Sequence, residues 1–283
     1  MAEDDEDYGP TITRRRLGLL MESLRVRRGL SLGEAAEAIE VSAASLSRIE
    51  NGHQSLSVHV AKSMLDVYEE VDRYHEILQL CRDSQRKGWW HAYGVHGRGY
   101  IPMEADAESL KTFHILLIPG LLQTASYARS LMETQGDVRP DQVAKWVRVR
   151  MIRQERLRAE TRQLRLEAVV HEAAIRCAVG GLEVMYEQLA HMSELAQLST
   201  VSLRILPNAA GSHQSMASGF VILAFPGKIL PDTLYIENAF GGSDTAKAEE
   251  VRRAKVKFER LRAFSLDEAA SLAFLERVAG ELE

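Results

Sequence analysis

The sequence predicts a mainly α N-terminal domain of five helices, followed by an α+β C-terminal domain whose small sheet is largely antiparallel. Two observations lead to this prediction. Apolar residues recur at helical spacing almost throughout residues 14–80, whereas beyond residue 163 the sequence turns to short runs rich in Val, Ile, Leu and Phe. A chain of 283 residues is long enough for two such domains, and its longest apolar runs are far too short to span a bilayer.

Composition sets the predicted boundaries. The first residues, MAEDDEDYGP, are acidic and lack the apolar stretch of a secretory signal, and the two cysteines share no metal-binding or disulfide spacing, so we expect a cytoplasmic protein. The predicted segments are a disordered acidic leader over 1–12, the helical domain over 13–86, an aromatic and Gly-rich linker over 87–102 that Trp89 and Trp90 pin against one domain, and the C-terminal domain over 103–283.

Serine residues mark the predicted helix starts of the first domain. An initial helix carries leucines at helical spacing from about residue 14. Ser31 and Glu34 form an S-x-x-E capping box that opens the second helix. Ser42 is the expected N-cap of the third helix, Ser57 that of the fourth, and a fifth helix is predicted over about 71–86.

The second domain is predicted as helices followed by alternating strands and helices. The strands are the runs LRLEAVV, VSLRILP, GFVILAF and DTLYIEN, and the last two are separated by a short Pro226-Gly227 turn typical of an antiparallel hairpin. The predicted helices are 103–114, about 123–134, about 140–160, about 172–198, 244–262 and 266–279.

Charge is unevenly distributed in the helical domain. Residues 11–30 hold six Arg and one Glu, a net charge of +5, whereas residues 31–60 hold one Arg and four Glu, a net charge of −3. The whole chain has a formal net charge of −5. A local basic patch is therefore expected near the start, but this balance argues against tight nonspecific binding to DNA.

Two short helices, a tight turn and a third helix that starts with Ser form a helix-turn-helix. The run LRVRRGLSLGEAAEAIEVSAASLSRIENG, residues 24–52, resembles the XRE (lambda/434 repressor-like) family of regulators. The resemblance implies that the third helix enters the major groove of DNA and that Arg25 and Glu50 form an ion pair between the first and third helices. The DNA-binding residues that it implies are Ser31, Ser42, Ala43, Ala44, Ser45, Ser47, Arg48, Asn51 and His53.

The chain departs from that family's pattern at positions that face DNA. Leu32 replaces a Gln that often binds phosphate, Glu40 replaces the Gly of the turn, and His53 begins a loop that is often rich in Lys or Arg. Ala43 and Ala44 can touch a thymine methyl but cannot form a hydrogen bond with a base, and each good bidentate contact gives about 1–3 kcal/mol of discrimination.

Arg48 is the one long donor that the third helix offers to a base, with Ser42, Ser45 and Ser47 in support. We therefore expect modest intrinsic affinity and a need for a second copy, since a homodimer doubles the contacts and raises the effective concentration. Arg14–Arg16 are either an arm on DNA or a solvated helix start.

The second half carries a further resemblance. The runs GWW, IPGLLQTASYAR, VRVRMIRQERL, VVHEAAIRCAVGG, VSLRILP and SGFVILAFP resemble the actinobacterial XRE regulators with a WhiJ-type C-terminal domain. This implies a small partner protein encoded nearby, with a small-molecule ligand as an alternative. The helix over 143–162 is rich in Arg. These arginines are either a solvated helix face or a basic surface for an acidic partner or for DNA that flanks the site. The residues considered for a partner surface are Arg148, Arg153, Arg156, Leu121 and Tyr127.

No stretch predicts an enzyme. His171-Glu172 begins like a metalloprotease motif, but HEAAI lacks the second His at the required spacing. The stretches GVHGRG and AGSHQSMASG match neither a nucleotide loop nor a nucleophile elbow. We expect no catalytic residues, no metal and no cofactor. Two functions stay open: a dimeric, sequence-specific transcription regulator whose C-terminal domain binds a partner protein or ligand, and an antitoxin-like protein that mainly sequesters a small partner and autoregulates its operon.

Overall fold

The computed structural model describes residues 10–86, 88–94, 99–134, 136, 139–228, 230–238 and 241–282. The chain divides into two compact units. The N-terminal unit comprises Met1–His96 and Ile101–Asp106, and the C-terminal unit comprises Gly97–Tyr100 and Ala107–Glu283. Among the described helices, none is long and apolar enough to cross a membrane.

The N-terminal unit opens with the run of helices that the sequence predicts. They are α1 (Pro10–Arg27), α2 (Leu32–Ala38), α3 (Ala43–Glu50), α4 (Val58–Val67) and α5 (Tyr74–Ser84). The hydroxyls of Ser31, Ser42 and Ser57 each accept a hydrogen bond from the backbone N–H three residues later, at 3.1–3.3 Å. These serines satisfy amide groups that a helix start otherwise leaves unpaired, so the three predicted N-caps are confirmed.

The core of this unit forms because every helix turns one apolar face inward. Its buried side chains include Leu17, Met21, Leu24, Leu46, Ile49, Leu56, Met64, Leu65 and Ile77. Gly18 lets α1 approach the end of α3 closely, since a Cβ at this position would lie 2.4 Å from the carbonyl oxygen of Glu50. The first and third helices are therefore in direct backbone contact.

Helix α1 begins earlier than the sequence suggested, at Pro10 instead of about residue 14. Ile12 is buried, and its backbone N–H donates to Oδ2 of Asp106 at 3.2 Å. Residues 10–12 of the predicted leader therefore belong to α1. Residues 1–9 of that leader lie outside the described residues. The aromatic segment after α5 forms a short 3-10 helix, Trp89–Tyr93, in which Trp90 is buried.

The C-terminal unit is built on a mixed sheet of six strands within the described part of the chain. The strands are β1 (Ser109–His114), β2 (Arg165–His171), β3 (Val201–Leu206), β4 (Phe220–Ala224), β5 (Thr233–Asn238) and β6 (Gly241–Thr245), in the order β3-β2-β1-β4-β5-β6. β1 pairs with β2 and β2 with β3 in parallel, whereas the pairs of β4 with β1, β5 with β4 and β6 with β5 are antiparallel. The predicted hairpin of β4 and β5 is confirmed.

Helices cover this sheet and supply the rest of the fold. After α6 (Tyr100–Asp106), which apart from Tyr100 belongs to the N-terminal unit, they are α7 (Ala125–Glu133), α8 (Pro140–Gln154), α9 (Glu172–Arg176), α10 (Leu182–Leu195), α11 (Ala248–Phe264) and α12 (Glu268–Gly280). One apolar cluster joins α11 to the sheet through Val251, Phe258 and Leu261, which pack with Phe113 and Ile222. The C-terminal unit is thus α+β, as predicted.

Three segments of this part of the chain differ from the prediction. The helix expected over about 172–198 is divided into α9 and α10, because Gly180 and Gly181 between them adopt positive φ. The helix expected over 103–114 ends at Asp106, and Ser109–His114 forms β1 at the centre of the sheet. Helix formers at 103–106 lie directly before the strand, so the change of period falls inside one short segment. β6 was not predicted, because Gly241–Thr245 reads GGSDT and has little intrinsic preference for a strand.

Candidate nucleic-acid interface

The turn between α2 and α3 sets the entry of the candidate recognition helix. Glu40 has a φ of 62°, in the left-handed region that favours glycine. Ser42 then adopts extended backbone angles and caps α3 through its hydroxyl, which accepts from the N–H of Ser45 at 3.1 Å. The sequence therefore makes the tight turn of a helix-turn-helix, with a strained Glu where the resembling family holds Gly.

An ion pair holds α3 to α1. Nε and Nη2 of Arg25 donate to the two carboxylate oxygens of Glu50 at 2.8 and 2.9 Å, and Nη1 donates to the carbonyl oxygen of Leu30 at 2.9 Å. Glu50 is only 3% exposed, so its charge requires this partner. The hydrogen bonds that Arg25 donates to Glu50 raise the pKa of Arg25 above its ordinary value, against the opposing effect of burial. This is the pair that the resemblance implies.

A second contact from α1 engages the carboxyl end of α3. Nη1 of Arg15 donates to the carbonyl oxygen of Glu50 at 2.9 Å and lies 3.5 Å from Oδ1 of Asn51. A cation at this helix end is favourable because the helix dipole is negative there. Arg15 therefore stabilises the recognition helix, which differs from the arm on DNA considered for residues 14–16.

The outward face of α3 carries the predicted contact residues. Ser42, Ala43, Ala44 and Arg48 are exposed, and Ser45 and Ser47 are partly exposed. The opposite face, Leu46 and Ile49, is buried in the core. The surface offered to DNA is consequently small and weakly polar, with one guanidinium as its long donor.

The chain turns back over α3 after the helix ends. Nδ2 of Asn51 donates to the carbonyl oxygen of Ser47 at 2.9 Å, so this amide closes the last turn. Gly52 follows with a φ of 71°, and the N–H groups of His53 and Gln54 both donate to the carbonyl oxygen of Arg48, at 2.8 and 3.1 Å. His53 is exposed at the start of this loop.

Gln54 joins two residues of the reading face, which the sequence did not reveal. Its Nε2 donates to Oγ of Ser45 at 3.0 Å, and its Oε1 accepts from Nε of Arg48 at 3.1 Å. Both bonds depend on the return of the loop over the helix. Once the structure is known, one feature of the sequence can be related to these contacts: Gly52, which allows the turn, lies two residues before Gln54.

Ser31 lies at the amino end of α2, where a phosphate was expected. The capping box is complete: Oε2 of Glu34 accepts from the N–H of Ser31 at 2.8 Å, and Oγ of Ser31 accepts from the N–H of Glu34 at 3.3 Å. Interactions of the Glu34 carboxylate with Ser31, first with its side chain and then with its backbone N–H, lower the pKa of Glu34. The N–H of Ser31 and the carboxylate of Glu34 are therefore engaged with each other at this end of α2.

The basic patch expected over residues 11–30 is partly neutralised. Arg27 forms an ion pair with Glu70, and Arg28 forms one with Glu69. Arg25 of the same segment is paired with Glu50. Fewer positive charges are thus available to phosphate than the sequence alone implied.

The partner surface considered from the sequence requires a correction. Leu121 and Tyr127 are 3% and 0% exposed, and the phenol of Tyr127 accepts from the N–H of Ile118 at 3.3 Å. Both belong to the core of the C-terminal unit, because the apolar turn that they form packs inward. Arg153 is also buried, with its guanidinium 5.4 Å from the ring centre of Tyr100.

The remaining residues of that set behave differently from one another. Nη2 of Arg156 donates to the carbonyl oxygens of Ala107 and Arg162 at 2.7 and 2.9 Å, so this side chain braces the loop before β2. Arg148 is exposed on α8. Of the considered set, Arg148 is therefore the member that is both exposed and not committed to a backbone contact among the described residues.

Two other faces of the C-terminal unit expose apolar side chains. On α10, Leu182 and Tyr186 border an open groove of about 370 Å³ with Glu183 and Leu282. On α11, Val256 and Phe264 are 49% and 60% exposed. A second groove, of about 360 Å³, is lined by Gln214, Arg252, Arg253, Val256, Lys257 and Arg260. We call the surface formed by Leu182, Glu183, Tyr186 and Leu282 the α10 face. We call the surface formed by Gln214, Arg252, Arg253, Val256, Lys257 and Arg260 the α11 face.

The cations of the α11 face are not used within the unit. The ion pairs that α11 and its N-cap residue make in the described part of the chain involve Lys247, Lys255, Glu259 and Arg262. Arg252, Arg253, Lys257 and Arg260 form none there, and they share one helix face with the exposed Val256. This surface combines positive charge with an apolar centre.

His171 serves a structural purpose at the end of β2. Its Nδ1 accepts from the N–H of Ala173 at 3.2 Å, which caps the short helix α9. Within the described residues, no group of three or more His, Cys, Asp and Glu side chains is arranged to hold a metal ion.

Comparisons with known proteins divide the chain in a similar way. Residues 16–74 match the family described as Helix-turn-helix domain, which supports a DNA-binding regulator. Residues 98–277 match the family described as Domain of unknown function (DUF5753). Neither a curated protein nor a solved structure matches the chain. The resemblance of the second half to WhiJ-type regulators stays a prediction.

Proposed function

We propose that this chain, which belongs to the DUF5753 family, is a transcription regulator that binds a specific DNA site through α3 as a homodimer. One observation carries the proposal. The helix α3 is fixed at both ends, by the cap of Ser42 and by the ion pair of Arg25 with Glu50, while its outward face stays exposed. A rigid helix with a free face is what reading the major groove requires.

The need for a second copy follows from the chemistry of that face. Ala43 and Ala44 supply no hydrogen bond, and Glu40 and Glu34 place carboxylates on the elements around the helix. A single reader therefore makes few favourable contacts with bases and phosphates. Two linked readers bind with a much higher effective affinity than one.

We assign the homodimer contact to the α10 face. Leu182 and Tyr186 are one turn apart on the same side of the helix, and both are exposed although they are large and apolar. A second copy would bury them against the matching residues of the same face, as an isologous contact does. The test is the mass in solution: Tyr186→Asp should yield monomer, whereas Val256→Asp on the α11 face should leave the dimer intact.

We assign partner binding to the α11 face. Its four cations without an ion pair favour an acidic protein, and the exposed Val256 among them offers an apolar contact, which favours a protein over a small anion. The candidate partner is a small acidic protein, which the resemblance to WhiJ-type regulators implies is encoded beside this gene. Charge reversal at Arg253 and Lys257 should abolish its binding and any effect that it has on binding to DNA.

The decisive experiment is a titration of the full-length protein with its own promoter DNA at fixed salt concentrations. Arg48→Ala should remove the preference for that DNA over an unrelated duplex, whereas the matched change of an exposed arginine on α5, Arg82→Ala, should preserve it. If wild-type protein binds both duplexes equally at every salt concentration, the proposal is wrong. A shift in affinity on adding the purified neighbouring protein supports coupling between the two units.

A second candidate function is favoured by the weakness of the reading face described above. In an antitoxin-like protein, sequestration of the small partner is the main task and binding to DNA serves autoregulation. Arg48→Ala should remove operator binding under either function, so what the variant still does to the partner distinguishes the two. Only sequestration predicts that the Arg48→Ala protein still neutralises its partner in the cell.

A further inference from the structure

The loop after α3 is held over the helix by backbone contacts. Gly52 adopts a positive φ that a residue with a side chain rarely takes, and a Cβ there would lie 2.9 Å from Cα of Arg15. The loop then returns, with the N–H groups of His53 and Gln54 bound to the carbonyl oxygen of Arg48. The position of Gln54 beside the reading face is therefore fixed by the main chain.

The side chain of Gln54 has one orientation that satisfies both of its neighbours. An arginine nitrogen can only donate, so the oxygen of the amide must face Nε of Arg48, at 3.1 Å. The amide nitrogen then faces Ser45, whose hydroxyl oxygen accepts at 3.0 Å. Gln54 is partly buried, and its amide bridges two residues that lie three positions apart on α3.

This bridge leaves the end of the Arg48 guanidinium available. Its Nε is occupied by Gln54, and the described residues provide no hydrogen bond to Nη1 or Nη2. Those two nitrogens form a planar pair that matches O6 and N7 of guanine in the major groove. A guanidinium that is already oriented loses less rotational freedom when it binds.

We propose that Gln54, which lies outside the recognition helix, is a positioning residue that orients Arg48 and thereby sets the preference of the reader for guanine. The inference rests on the proposed function. In this role Gln54 acts through Arg48 and not through a base, since its amide oxygen accepts from Arg48 and its amide nitrogen donates to Ser45. The base preference of this chain then depends on a loop residue as well as on α3.

The test is selection of binding sites from a random duplex library by the full-length protein, followed by measurement of affinities for the selected site and its single-base variants. Wild-type protein should enrich a motif with a guanine whose preference disappears in Arg48→Ala. Gln54→Ala should reduce that preference about two- to tenfold, the equivalent of ordering one flexible side chain. Ser55→Ala, an exposed neighbour in the same loop, is the matched control and should have no effect.

Gln54→Glu distinguishes orientation of Arg48 from general support of the loop. The carboxylate still accepts from Nε of Arg48, so the preference for guanine should persist, although the added negative charge lowers affinity for every sequence. A loss of preference in Gln54→Glu equal to that in Gln54→Ala would overturn the inference. Thermal unfolding of each variant verifies that the helices remain folded.

A double-mutant cycle closes the test. If Gln54 acts through Arg48, Gln54→Ala should have no further effect on base preference in an Arg48→Ala background. A further loss there would mean that Gln54 contacts DNA itself, which contradicts the inference. If wild-type protein enriches a motif that Gln54→Ala leaves unchanged, only the inference fails. If wild-type protein enriches no sequence at all, the proposed function fails, and the inference with it.

Discussion

Replacing Glu40 separates two effects that coincide in the turn before the recognition helix. Glu40 holds a φ of 62°, and a left-handed conformation costs a residue with a Cβ about 1–2 kcal/mol. Glycine removes this strain but gains freedom in the unfolded chain, worth about 0.4–1 kcal/mol. Glu40→Gly should therefore raise the stability of the N-terminal unit by about 0.5–1 kcal/mol.

The assay is hydrogen exchange in the full-length protein, read on peptides from α2 and α3. A gain of that size slows exchange through opening of the unit about two- to fivefold. Glu40→Gln is the matched control, because it removes the charge and keeps the Cβ. It should leave the exchange rates unchanged. Equal or faster exchange in Glu40→Gly would refute the assignment of strain to this turn.

The same two variants test the electrostatic effect of Glu40 on binding to DNA. A carboxylate about 8 Å from a phosphate in water opposes binding by roughly 0.5 kcal/mol per half-site. For the proposed dimer, both Glu40→Gln and Glu40→Gly should therefore tighten operator binding about fivefold at low salt, and less at high salt. A gain in only the glycine variant would show that the turn, and not the charge, limits binding.

Three further predictions concern stability. Gly18→Ala should destabilise the N-terminal unit by about 1–3 kcal/mol in denaturant unfolding, because the new methyl group meets the backbone of α3; an unchanged midpoint would contradict the close contact of the helices. Arg25→Ala should cost about 3–5 kcal/mol by leaving Glu50 buried without a partner, and the double change to Arg25→Met with Glu50→Leu should recover most of it. Burial, and then Arg150, lower the pKa of His114 to about 4. Since the unfolded chain binds this proton near pH 6.5, stability should fall as pH drops from about 6.5 towards 4, and His114→Gln should flatten that slope.

The sequence predicted the parts of the candidate site that depend on local rules. Ser31, Ser42 and Ser57 cap their helices because a hydroxyl next to a helical run has a partner within three residues. The pair of Arg25 with Glu50 came from the family resemblance. Gln54 could not be found in this way, because its contacts arise only when the loop folds back onto α3.

The errors in the second unit have a similar origin. Leu121 and Tyr127 form an apolar turn, and sequence alone does not say whether such a turn faces the core or a groove. β1 was missed because its hydrogen-bonding partners are residues 165–170 and 220–224, far along the chain. In the described sheet β6 lies at the edge, where it pairs with β5. Pairing with β5 holds these residues in a strand, because their own β propensity is low.

The central place of β1 in the sheet has a consequence for synthesis on the ribosome. Ser109 pairs with Arg165 on one side and with Ala224 on the other. The first strand to be synthesised therefore has no second partner until β4, about 115 residues later, has been made. At about 5–20 residues per second, this delay is on the order of ten seconds. The helices α1 to α5 find one another within residues 10–84, so they can fold before β4 has been synthesised. Each nascent chain should therefore hold a folded helix-turn-helix before its sheet exists, with β1 as the segment that most needs protection from premature association.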